Sequence, residues 1–137
     1  MSHQKNELIV SGKRKTSVAK AKILSGSGKI LFNKKPLEFL TEFHQLEINE
    51  PLVIAKDVLG NLSFDISLNV RGGGISSQIQ AARLAIARAL VQITKDEKLR
   101  SAFLAYDRNL LIADTRRKET RKPGDSKARA RRQTSFR

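Results

Sequence analysis

Between Ser63 and Val70 the chain alternates without a break. Phe64, Ile66, Leu68 and Val70 fall on one side, and Ser63, Asp65, Ser67 and Asn69 on the other. A period of two is the side-chain repeat of a strand, and it demands one dry face and one wet face. Gly72, Gly73 and Gly74 follow. Behind them Ile75, Ile79, Ala82, Ile86, Ala89, Leu90 and Ile93 recur at helical spacing, with Ser76, Ser77, Gln80, Arg83, Arg88 and Gln92 largely off that stripe. A half-dry strand tied by a short connection to a helix with one dry stripe has few solutions. The helix lies on the dry face of a sheet and the opposite face stays open.

The rest of the chain supplies partners for that unit. Glu7 to Val10 is a short apolar run, and Ala19, Ala21 and Ile23 alternate with Lys20 and Lys22, so two strands are expected around a basic turn at Gly12 to Lys15. Ser25 to Gly28 reads as a turn, and Lys29 to Asn33 as a third strand. Pro36 suits the first turn of a short helix carrying Leu37, Leu40 and Phe43, and Pro51 a second one with Leu52, Val53 and Ala55. Asp96 to Tyr106 reads as a further helix, with Leu99 and Phe103 inward, and Leu110 to Ala113 as a brief strand or docked segment. Hydrophobic residues are 39% of the chain, enough for one modest core. The expected fold is α+β, a two-layer α/β sandwich with its helices on one sheet face. It comprises a globular domain of residues 1–114 and an extended basic tail of residues 115–137, where apolar periodicity ends.

Charge narrows the function. Lys and Arg number 27 against 13 Asp and Glu, a formal net charge of +14. Ten basic and two acidic residues lie between Thr115 and Arg137, whereas Pro36 to Val70 holds six acidic residues and one basic, Lys56. A solvated, idle tail would account for one cationic cluster. A second cluster at Lys13, Arg14, Lys15, Lys20 and Lys22 favours a polyanion partner, most often nucleic acid. No stretch pairs a basic face with bulky apolar anchors for a membrane surface, and no apolar run approaches the roughly 18 residues of a span. The start MSHQKNELIV has no signal-peptide pattern, so a cytoplasmic location is expected.

Catalytic patterns fail. Gly26-Ser27-Gly28-Lys29 suggests a phosphate loop, but that motif needs Gly where Ile23 stands and Ser or Thr where Ile30 stands. Gly72 to Gly74 opens a helix, as phosphate cradles do, without dinucleotide-binding spacing; a tight connection and a weak nucleic-acid phosphate contact both fit. The chain has no Cys, and His3 and His44 lack metal-ligand neighbours at useful spacing. Asp114 beside Arg116 and Arg117 reads as a local charge partner. No enzyme, cofactor, metal or small-molecule substrate is expected.

Four motifs in register carry a resemblance. They are Gly12-Lys13-Arg14-Lys15-Thr16-Ser17-Val18-Ala19; Gly72-Gly73-Gly74 leading to the run from Gln80 to Leu90; Leu110-Leu111 to Asp114 with Arg116-Arg117-Lys118-Glu119 and Lys122-Pro123-Gly124; and the ending from Ala128 to Gln133 with Ser135-Phe136-Arg137. From about Leu8 onward the chain resembles small-subunit ribosomal protein nine, and its aromatic Phe136 resembles the archaeal and eukaryotic branch. The resemblance implies the sandwich of the second domain of ribosomal protein five of the small subunit. It also implies a structural place in the head of that subunit, bound to small-subunit rRNA and to neighbouring head proteins. The rRNA-binding residues would be Lys13, Arg14, Lys15, Lys20, Lys22, Arg71, Arg83, Arg116, Arg117, Arg121, Lys122, Lys127, Arg129, Arg131 and Arg132. Ser135, Phe136 and Arg137 would reach peptidyl-site tRNA. Competing readings are a free nucleic-acid chaperone, which the charge alone supports equally, and a small phosphotransferase, which lacks its phosphate loop.

Overall fold

A computed structural model describes residues 7–135. Strands β1 (Leu8–Arg14) and β2 (Ser17–Ser25) form an antiparallel hairpin, with Val10 opposite Ala21 and Gly12 opposite Ala19. Its two-residue turn places Lys15 at φ 53°. Strands β3 (Ile30–Phe32) and β4 (Lys35–Pro36) form a second, smaller hairpin, closed by Asn33 and Lys34 at φ 50° and 66°. Left-handed values at both central positions belong to the turn whose twist matches a hairpin. The alternating segment becomes β5 (Phe64–Arg71), antiparallel to β2 and parallel to β3, and the sheet order is β1-β2-β5-β3-β4.

Register aligns the dry positions. Ala19, Ala21 and Ile23 face Val70, Leu68 and Ile66 across the β2–β5 ladder, and all six are at most 3% exposed. The helix α2 (Ile75–Thr94) covers them. Its buried set is wider than the expected stripe, adding Ala81, Leu84, Ala85 and Ala87. The reason is that α2 is flanked as well as floored: α1 (Glu42–Leu59) and α3 (Glu97–Tyr106) pack against it. Ile75, expected in the stripe, is 51% exposed at the uncovered first turn.

Three other expectations change, and one open reading is decided. Gly12 is not in the turn but inside β1, where a Cβ would lie 2.4 Å from the Ala81 carbonyl oxygen and 2.7 Å from the Ala85 nitrogen. Glycine lets strand and helix backbones touch there. The two short helices become a 3₁₀ turn at Leu37–Phe39 and a single helix α1 that runs through Pro51. Pro in a helix interior forfeits one backbone hydrogen bond and costs about 3 kcal/mol. Here Pro51 is buried with Ile48, Leu52 and Ala55, and that burial offsets the break. Leu110 is fully buried in a 3₁₀ turn, Arg108–Leu110, so of the two readings of this segment the docked one holds. Residues 115–135 carry no helix or strand, but they are not simply extended. The chain turns at Gly124 (φ 78°), and Arg129 and Arg132 reach back to Glu119 (3.0 Å) and Asp125 (3.2 Å). The segment's own two carboxylates draw those arginines inward.

Candidate nucleic-acid interface

Strand parity sorts the cations. On the face away from the helices, Lys13, Val18 and Arg71 share one row; Ser11, Lys20 and Asn69 the next; Ile9, Lys22 and Ser67 the third. Strands about 4.8 Å apart place these head groups within reach of neighbouring phosphates on one polyanion. Val18, Lys20, Asn69 and Arg71 line a shallow depression. Lys22 is paired with Glu7 at 2.9 Å, whereas Lys13, Lys15, Lys20 and Arg71 form no ion pair among the described residues. Asp65, the strand carboxylate nearest this face, is occupied elsewhere. Its Oδ1 accepts the backbone N–H groups of Ser27, Gly28 and Lys29 at 2.9–3.0 Å. Those bonds, the one from Lys29 foremost, hold its carboxyl below the ordinary value.

One residue further along β1, Arg14 points the other way, toward the helices. Its Nε donates to Gln80 Oε1 (2.8 Å), its Nη1 to the Arg116 carbonyl (3.3 Å), and its Nη2 lies 3.6 Å from Asp114. Asp114 in turn accepts from Arg116 Nη2 at 2.7 Å and from its backbone N–H at 3.0 Å, the pairing expected from their adjacency. The Arg116 guanidinium holds the Asp114 carboxyl well below the usual carboxylate range. Arg83 is engaged inward too: its Nε is 2.5 Å from Glu50, its Nη2 3.2 Å from Asp107, and its side chain is 17% exposed. Glu50 also accepts the Tyr106 hydroxyl. Arg14 and Arg83, expected to bind rRNA, are turned onto the protein's own carboxylates and amides.

Arg88 was not singled out by sequence, because an arginine off the apolar stripe reads as solvated. It donates to the carbonyls of Leu111 (2.9 Å) and Ser11 (3.2 Å). With Arg14 it straps the segment after α3 across the hairpin, so the tail departs beside the hairpin tip. Lys13, Lys15 and the first tail cations are thereby brought to one end of the molecule. The triple glycine has a packing explanation. Gly72 (φ 80°) and Gly73 (φ 64°) press on the hairpin tip, and a Cβ at Gly73 would meet Ser17 Oγ at 2.1 Å. Ser17 Oγ donates to the Gly72 carbonyl at 2.9 Å.

Arg116, Arg117, Arg121, Lys122, Lys127, Arg129, Arg131 and Arg132 are all exposed, as is Ser135. Phe136 and Arg137, expected at the tRNA, lie outside the described residues, as does His3. His44 Nδ1 shares a 2.9 Å hydrogen bond with Thr41 Oγ1. Among the described residues there is no group of three metal-ligating side chains, and no helix is long and apolar enough to cross a membrane.

Unpaired cations lie on an open sheet face beside a cationic tail, the chemistry that suits a polyanion. The chain belongs to the ribosomal protein S9/S16 family, whose pattern matches residues 12–137. It is 45% identical over 129 residues to the small ribosomal subunit protein uS9 of Methanococcus vannielii, covering 92% of this chain and 95% of that one. The uS9 proteins of two Methanococcus maripaludis strains are each 44% identical over the same coverage. These archaeal relatives agree with the archaeal and eukaryotic type suggested by the aromatic Phe136. The family is one of ribosomal structural proteins, not of enzymes.

Proposed function

We propose that this chain is a structural constituent of the head of the small ribosomal subunit, in the cytoplasm, that binds small-subunit rRNA through two cationic zones. One is the open sheet face with the hairpin tip, carrying Lys13, Lys15, Lys20, Lys22 and Arg71. The other is the tail, from Arg116 through Arg117, Arg121, Lys122, Lys127, Arg129 and Arg131 to Arg132. Residues 1–114 form the domain, with the sandwich of the second domain of ribosomal protein five, and residues 115–137 a tail that extends when it exchanges its own carboxylates for phosphates. A segment without apolar periodicity orders against RNA rather than alone. Ser135, Phe136 and Arg137 contact peptidyl-site tRNA, and neighbouring head proteins complete the environment. The observation carrying the reading is the absence of carboxylate partners, among the described residues, for Lys13, Lys20 and Arg71.

The protein should co-sediment with small subunits through a sucrose gradient. For the purified chain on a small-subunit rRNA fragment, Lys13→Ala/Lys20→Ala/Arg71→Ala should lower the log–log salt slope of affinity by about 2–3, at roughly 0.7–0.9 per phosphate contact. Arg83→Gln should leave the slope unchanged. An unaltered slope in the triple variant, or a free chain in the gradient, would overturn the assignment.

A further inference from the structure

The outer face of α1 carries several of the large apolar side chains that the fold leaves uncovered. Phe43, Leu46 and Val53 are 67%, 69% and 55% exposed, and Phe39, in the turn that leads into the helix, is 74% exposed. At 100° per residue Phe43, Leu46 and Val53 fall on one side of the helix, opposite the buried Ile48, Leu52 and Ala55. With a rise of 1.5 Å per residue this stripe is about 15 Å long, before Phe39 extends it. Helix propensity does not account for it. Phe and Val are poorer helix formers than the Lys, Glu or Gln that a solvated face would take, so the stripe costs some helix stability and exposes a few hundred Å² of apolar surface.

The rim has its own sign. Glu38, Glu42 and Asp57 are exposed around the stripe, in the one part of this chain of +14 where carboxylates outnumber cations. The cations nearby are few. Lys35 lies over the Phe39 ring at 5.9 Å, and Lys56 is exposed near the end of the helix. α1 packs on α2 and α3, in the helical layer, so this patch faces away from the cationic rows of the sheet. Carboxylates repel RNA phosphates, and apolar rings give up contact area to water unless another protein covers them.

We infer that this face of α1 is a docking site for a basic amphipathic segment of another protein in the same particle. Apolar side chains of that segment lie on Phe39, Phe43, Leu46 and Val53, and its Lys or Arg residues reach Glu38, Glu42 and Asp57. The inference rests on the ribosomal reading above and adds the surface and the chemistry of its occupant. The molecule is two-sided: phosphate on the open sheet, protein on the outer helix.

The test places a photoreactive benzophenone side chain at Leu46 of the full chain in cells, with a second variant carrying it at Lys20. Both positions are exposed, so the fold tolerates them. Small subunits are then purified and irradiated. Expected at position 46 is one protein adduct, mapped by mass spectrometry to a segment combining Lys or Arg with apolar residues at helical spacing, and at position 20 an RNA adduct. Phe43→Ser/Leu46→Ser should lower the occupancy of that partner by about tenfold or more while the rRNA salt slope stays put. An RNA adduct at position 46, an adduct to this chain's own tail or to a second copy, or no adduct in subunits that contain the chain, overturns the docking site and leaves the ribosomal reading standing. Absence of the chain from the subunits overturns both.

Discussion

Replacing Gly12 by Ala adds one methyl group at the tightest place between the sheet and α2. The added Cβ would lie 2.4 Å from the Ala81 oxygen and 2.7 Å from the Ala85 nitrogen, where contacts shorter than 3.4 Å are already tight. The deficit of about 1 Å cannot be relieved by a rotamer, because both obstacles are helix backbone. Either β1 or α2 must move, and α2 rests on β1 and β2 along most of its buried length. Overpacking commonly costs 1–3 kcal/mol, and a clash against backbone belongs at the upper end, about 3 kcal/mol. That is a large part of a net stability of about 5–15 kcal/mol, and it corresponds to a fall in Tm of roughly 10–20 °C for a chain of this size. Urea and thermal unfolding of the purified full-length chain, followed by circular dichroism, would measure it. Gly74→Ala is the control, since a Cβ there meets nothing within 4 Å and its φ is −94°. If Gly12→Ala and Gly74→Ala differ by less than about 0.5 kcal/mol, the close approach of β1 and α2 is not what requires glycine.

Asp65→Asn should lower Tm at neutral pH by loosening the loop from Ser27 to Lys29. The Asp65 pKa is lowered in the fold, so its stabilisation is full above the unfolded value of about 3.9 and fades as pH falls through the lower folded value. The gap between wild type and variant should therefore close in acid, and a gap independent of pH would refute the charge-based account. Deleting Gln133 to Arg137 removes one charge of the ten basic tail residues. Incorporation into small subunits should survive that deletion while peptidyl-site tRNA dissociates faster, and wild-type dissociation at normal occupancy would leave the tail an RNA anchor only.

The strand at Ser63 to Val70 and the helix behind it were legible because their periodicities are local: each residue's neighbours along the chain decide which side is dry. The family was legible for a related reason, since four short motifs survive in order along one chain. Propensity misled at Pro51, because it counts the lost hydrogen bond and not the burial of Ile48, Leu52 and Ala55 that holds α1 together. Gly12 looked like a turn residue until α2 was laid on β1. The division of the basic hairpin was also out of reach, though parity hinted at it. Lys13 and Arg14 are adjacent and alike in charge, yet one meets solvent and the other meets Gln80, Asp114 and the Arg116 carbonyl. Arg83 likewise finds Glu50 and Asp107 on two separate elements. Composition and pattern determined that this chain is a cationic α+β protein of its family. Which of its cations remain free for a partner was decided only by tertiary structure, because a charge is neutralised by what folding brings beside it in space.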